Sequence, residues 1–80
     1  MQFHQRMQRV TKENNIRYYE IENSKNLFGD YFIERTYGNI KYKSFTGKRV
    51  NYFSSKDEAL LFFEKIIKLK EKMGYKKYFN

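Results

Sequence analysis

Eighty residues with a formal net charge of +8, one His, no Cys and no Pro describe a single small basic domain over residues 1–80. A chain this short buries only about 60% of its unfolded surface and has no apolar area for a second core. The missing thiols exclude a disulfide framework and a thiolate zinc site, so stability rests on packing, for which 8 Tyr and 8 Phe provide large buried area per residue.

The elements follow in chain order. Gln2 to Val10 alternates polar and apolar residues without Gly and reads as a strand ending at the polar Thr11–Asn15 loop. Ile16 to Glu22 sets Tyr18, Tyr19 and Ile21 among charged residues, a β-prone run that stops at Asn23, Ser24, Lys25 and Asn26. After the Gly29-Asp30 turn, Tyr31 to Tyr37 is dense in β-branched and aromatic residues. Only Gly38 and Asn39 separate it from Ile40 to Phe45, and Gly-Asn between two such runs signals a two-residue hairpin. Thr46-Gly47 turns the chain into a fifth strand, Lys48 to Phe53.

The helix begins at a capping box, Ser55-Lys56-Asp57-Glu58, in which the Ser55 hydroxyl accepts the Glu58 amide and the Glu58 carboxylate returns to the Ser55 amide. Ala59, Phe62, Phe63, Ile66, Ile67 and Met73 then recur at helical spacing, with Leu60 and Leu69 widening the stripe. Gly74 follows as the residue that ends the helix in the left-handed region. Such a face covers a sheet, so the expected class is α+β: an antiparallel sheet of four or five strands with one C-terminal amphipathic helix packed across it. The longest apolar run, Ala59 to Phe63, is far short of the ~18 residues a membrane span needs, and no signal peptide is visible. A cytoplasmic protein is expected.

Chemistry-bearing residues are sparse. His4 has no Cys or second His to share a metal, the acids Glu20, Glu22 and Glu34 are scattered along strands, and the four Gly fall at turns or caps and not in a phosphate loop. The expectation is a non-enzyme with no metal, no cofactor and no small-molecule substrate. The charge carries more information. Residues 1–40 hold six Lys and Arg against five Asp and Glu, whereas residues 41–80 hold eleven against four. A field of that sign favours a polyanion, although a Lys-rich, Ala-poor composition also follows from AT-rich coding. Within the basic half, Lys41, Lys43, Lys48 and Arg49, close after Arg35, are interleaved with Tyr37, Tyr42, Phe45 and Tyr52. Long cations reach phosphates while exposed rings stack on bases or sugars. Some of these rings must face the core, Tyr42 or Phe45 first.

Three segments carry a family resemblance: Arg17-Tyr18-Tyr19-Glu20-Ile21, Glu34-Arg35-Thr36-Tyr37-Gly38-Asn39-Ile40, and Phe53-Ser54-Ser55 opening a helix that ends Lys72-Met73-Gly74-Tyr75. Together they resemble a WGR domain over nearly the whole chain. The resemblance implies an antiparallel sheet crossed by a helix. It also implies DNA binding near strand ends through the namesake motif, as in poly(ADP-ribose) polymerases that respond to DNA damage; other members are small stand-alone bacterial proteins. The motif falls on Tyr37, Gly38 and Asn39, so Tyr replaces Trp and Asn replaces Arg. Tyr keeps a flat ring, whereas Asn gives up the fixed charge and forked donors of Arg. The expected activity is binding of nucleic acid, DNA before RNA, through Arg35, Tyr37, Gly38, Asn39, Lys41, Lys43, Lys48 and Arg49. The alternative is an adaptor for an acidic protein partner, docking by an exposed sheet edge or the aromatic hairpin.

Overall fold

In the computed structural model, residues 3–25 and 27–78 are described. The alternating segments form β1 (His4–Val10), β2 (Ile16–Lys25), β3 (Tyr31–Asn39) and β4 (Gly47–Phe53), followed by α1 (Lys56–Lys72) and a short β5 (Lys76–Tyr78). The sheet order is β4-β3-β2-β1-β5, antiparallel throughout. Four strands thus form a meander, and the helix crosses back so that β5 pairs on the far edge. Gln2 and Asn26 lie outside the described residues.

Strand alternation sorts the side chains. Met7, Tyr19, Ile21 and Ile33 point to one face and are buried with Ala59, Ile66, Ile67 and Tyr75 in a single core. Each buried aliphatic there contributes roughly 1.5–3 kcal/mol. β2 does not stop at Glu22 but continues through Asn23 to Lys25, because the buried Asn23 Oδ1 accepts the Phe3 amide while the Asn23 amide donates to the Phe3 carbonyl at 2.8 Å. A buried polar residue whose side-chain oxygen and backbone amide are both bonded can stay in a strand.

Two expectations need correction. Ile40 to Phe45 is not a strand, and Gly38-Asn39 is not a hairpin turn; both residues close β3 and are buried. The reversal is the loop 40–46, and Asn39 starts it as an Asx turn. Its Oδ1 accepts the Lys41 amide at 3.0 Å and its carbonyl accepts Tyr42 N at 3.1 Å. Thr46 N donates to Tyr37 O at 2.8 Å to close the loop. At Gly38 a Cβ would stand 3.0 Å from Thr46 N, so close approach of the loop, not positive φ, accounts for this Gly. With no neighbouring strand to cover them, Tyr42 and Phe45 are exposed, not packed in the core.

The helix begins as expected, Glu58 N donating to Ser55 Oγ at 3.2 Å, but the Glu58 carboxylate accepts from the Ser54 hydroxyl at 3.3 Å and does not close the box. Its buried stripe is narrower than predicted. Ala59, Ile66 and Ile67 are buried and Phe62 and Phe63 pack against the core, while Leu69 and Met73 remain 49% and 47% exposed. The inward position in the last turn, four residues after Ile66, is taken by Lys70, which is partly buried. The end is a Schellman motif: Gly74, at φ 97°, donates to Glu71 O at 3.1 Å and Tyr75 donates to Lys70 O at 3.0 Å. That geometry turns the chain sharply back and seats the Tyr75 ring in the core.

Candidate functional site

The helix covers only part of its face of the sheet. Beyond its last turn a cleft of about 260 Å³ opens, lined by Arg17 and Tyr19 from β2, Arg35, Tyr37 and Gly38 from β3, Arg49 from β4, and Lys70 and Tyr75 from the helix end. Register explains why the charges meet there. Arg17 lies across from Asn39, Tyr19 from Tyr37, and Arg35 from Arg49, so alternation on three adjacent strands delivers all of them to the same face. Arg9 of β1, opposite Arg17 in the pairing, stands at the edge of this group.

Among the described residues the cleft has four cationic side chains and no carboxylate in its lining. Among the described residues, none of the four forms an ion pair. Arg9 with Arg17 and Arg35 with Arg49 are like charges directly opposed across strand pairs, an arrangement that costs stability. Aromatic faces hold Lys70 and Arg35, and the neighbouring Arg9, in place. Lys70 Nζ lies 4.4 Å above the Tyr19 ring, Arg9 lies 5.3 Å from the Tyr75 centroid and Arg35 lies 5.3 Å from that of Phe62. A ring quadrupole stabilises a cation without neutralising it, so the net charge stays available to a ligand. Arg35 is further fixed by donating to Tyr19 Oη at 3.3 Å and Asn51 Oδ1 at 3.0 Å. Arg9 donates to the Met73 carbonyl at 3.1 Å, tying β1 to the helix end. Burial, reinforced by the Arg35 and Arg9 charges, holds the Lys70 ammonium below its ordinary pKa. Burial likewise raises the Tyr19 hydroxyl, which stays protonated as an acceptor for Arg35.

Tyr37 is wedged, not free-standing. One side of its ring runs parallel to Tyr19, with centroids 5.8 Å apart, and the other covers Gly47, where any Cβ would run into the ring. Gly47 is therefore the seat of Tyr37, a packing role that its turn-like sequence context did not suggest.

Of the residues singled out from sequence, Arg35, Tyr37, Gly38 and Arg49 come together in the cleft. Asn39 borders it, 8% exposed and committed to its Asx turn. Lys41 and Lys43 sit on the exposed loop that leaves this end of the sheet. Lys48 points to the opposite face and pairs with Glu34 at 3.2 Å. Arg17, Lys70, Tyr19 and Tyr75 also line the cleft and were not evident from the sequence. Arg17, Arg35 and Arg49 are all odd-numbered on adjacent strands, and Lys70 interrupts an apolar helical stripe; those two signals, combined, would have found them. His4 is exposed and 3.9 Å from Glu20, and no group of three potential metal-ligating residues occurs among the described residues.

A five-stranded antiparallel sheet, one helix laid across it and a carboxylate-free cationic cleft define a small α+β module whose site is equipped to hold an anion. The chain belongs to the WGR domain family, which matches residues 3–79. WGR domains are generally non-catalytic binding modules, known for nucleic-acid binding. Comparison with curated proteins and with solved structures gave no significant match.

Proposed function

We propose that the protein is a non-catalytic module that binds DNA, at duplex backbone or strand ends, through phosphate contacts made at the cleft. The observation that carries this reading is the gathering of Arg17, Arg35, Arg49 and Lys70 in one cleft without a carboxylate. Arg forks match phosphate oxygens geometrically, and a ligand that brings negative charge relieves the opposed Arg pairs. Lys41 and Lys43, on the loop at the same end, extend the contact to neighbouring phosphates. Tyr37 and Gly38 shape the wall, and Asn39 supports the loop.

Titration with fluorescent duplex, single-stranded and nicked DNA at two salt concentrations tests this. Neutralising three or four phosphates gives a log K against log salt slope of roughly −3, about 60-fold weaker binding at 200 mM than at 50 mM salt. Measurable binding with a flat salt profile contradicts it. A second reading, a docking surface for a protein partner, draws on the exposed Tyr42, Phe45 and Tyr52. It predicts salt-insensitive association.

A further inference from the structure

We infer that the cleft also takes a free nucleoside diphosphate, which competes there with nucleic acid. The inference rests on the preceding reading of the cleft as a phosphate site and adds a ligand class to it. Three observations carry it: the size of the cleft, the density of its charge and the absence of any acid.

The volume is about 260 Å³, just below the roughly 300–1,000 Å³ of ordinary small-ligand pockets. A duplex cannot enter it. A strand laid across the mouth presents one charge per about 3.4 Å of axis, each on a separate phosphodiester, so few of its charges reach the interior. The lining nevertheless concentrates Arg17, Arg35, Arg49 and Lys70, and Arg9 adds its charge to theirs at Lys70. A single diester leaves most of that charge unmatched. A terminal phosphate monoester carries about −1.5 to −2, and a diphosphate about −3 in little more space. The diphosphate is the biological anion whose charge density fits.

The position of the groups sets the orientation. Arg35 is held by Tyr19 and Asn51, and Lys70 lies over the Tyr19 ring, so these two form the floor. Arg17 and Arg49 carry no such side-chain hydrogen bond among the described residues and can close over the phosphates. The Tyr37 ring is packed against Tyr19 and over Gly47, which limits its use for stacking a base. The base therefore remains at the mouth, and affinity depends on phosphate number more than on base identity. Among the described residues no carboxylate lines the cleft to hold Mg²⁺, and Mg²⁺ competes with the guanidinium groups for the same oxygens.

Calorimetric titration of the full chain in Mg²⁺-free, low-salt buffer at matched ionic strength, with adenosine, AMP, ADP, GDP and inorganic pyrophosphate, tests the assignment. ADP and GDP are expected to bind alike and at least about tenfold more tightly than AMP, with adenosine not binding. Excess Mg²⁺ weakens ADP, and ADP displaces a labelled single strand where AMP at equal ionic strength does not. Arg17→Gln with Arg49→Gln lowers ADP affinity by about tenfold or more. The melting temperature of the ligand-free variant shows that it folds, and the Mg²⁺ and AMP comparisons use the native chain alone. Equal affinity for ADP and AMP, or ADP binding strengthened by Mg²⁺, overturns the inference. If DNA binds and is lost on Arg49→Gln while ADP equals AMP, the nucleotide site fails and the DNA reading stands. If no oligonucleotide binds, the DNA reading fails and the ADP-to-AMP ratio still decides the inference.

Discussion

The two faces of the sheet treat charge in opposite ways. On the open face, Arg6 pairs with Glu20 at 2.8 Å and lies 4.7 Å from the Tyr18 ring centroid, while Lys48 pairs with Glu34 at 3.2 Å. Charges there are settled locally, in partly exposed pairs still open to solvent screening. On the helix face Lys70 and Arg35 of the cleft meet aromatic rings in place of carboxylates, and among the described residues Arg17 and Arg49 form no ion pair. Net charge of +8 is therefore a poor guide to where a polyanion binds. What matters is which cations lack an internal partner, and alternation sends neighbours in sequence to opposite fates: among the described residues Lys48 is paired and Arg49 is not.

The largest expected effect tests whether the core lies on the helix side. Ile33→Ala, at a fully buried position of β3, is expected to cost about 2–5 kcal/mol in chemical denaturation. Val50→Ala on the open face is expected to cost less than about 1 kcal/mol, and Lys68→Ala on the outer helix surface to stay within about 0.5 kcal/mol. A larger loss at Val50 than at Ile33 would mean the helix lies on the other face.

Asn39→Arg sharpens the account at the namesake position. In a hairpin turn the new Arg would be free to reach phosphate. In this structure it removes the acceptor of the Lys41 amide and adds a cation across from Arg17. A loss of about 1–3 kcal/mol is expected, read as a lower melting temperature. An unchanged melting temperature would contradict the Asx turn.

A smaller effect concerns pH. Burial, then Arg35 and Arg9, hold Lys70 below its ordinary pKa of 10.5. Between its folded pKa and 10.5 the unfolded chain binds more proton, so this group makes stability rise with pH through that window. Tyr19, raised above 10.0 by burial, acts in the reverse direction, and only above pH 10. Lys70→Met is expected to abolish the rise below pH 10 and to stabilise the ligand-free protein slightly at pH 7, while weakening polyanion binding. A variant less stable at pH 7 with unchanged binding would remove Lys70 from the site.

The meander and the helix were legible in the sequence because each strand alternates and Ser55 to Gly74 carries both a cap and an apolar stripe. The loop 40–46 was not, because Lys41-Tyr42-Lys43 imitates a strand's alternation. The deciding contact, the Asn39 side chain on the Lys41 amide, leaves no periodic trace. β5 was too short, Lys76–Tyr78, to have a pattern. The basic stretch around Arg35 and Arg49 was visible, but sequence proximity grouped Lys48 with Arg49 and omitted Arg17 and Lys70. Only register reunites residues so far apart along the chain.

The most direct test of the central claim therefore uses these two neighbours. Arg49→Gln and Lys48→Gln remove the same charge one residue apart, so a diffuse basic field treats them alike. Salt-dependent titration of both variants with labelled DNA should show Arg49→Gln losing about tenfold or more in affinity, with the salt slope shallower by roughly one. Lys48→Gln should stay within about twofold of the native chain. Equal losses from the two variants would contradict the cleft as the site of binding and leave only the overall charge to account for it.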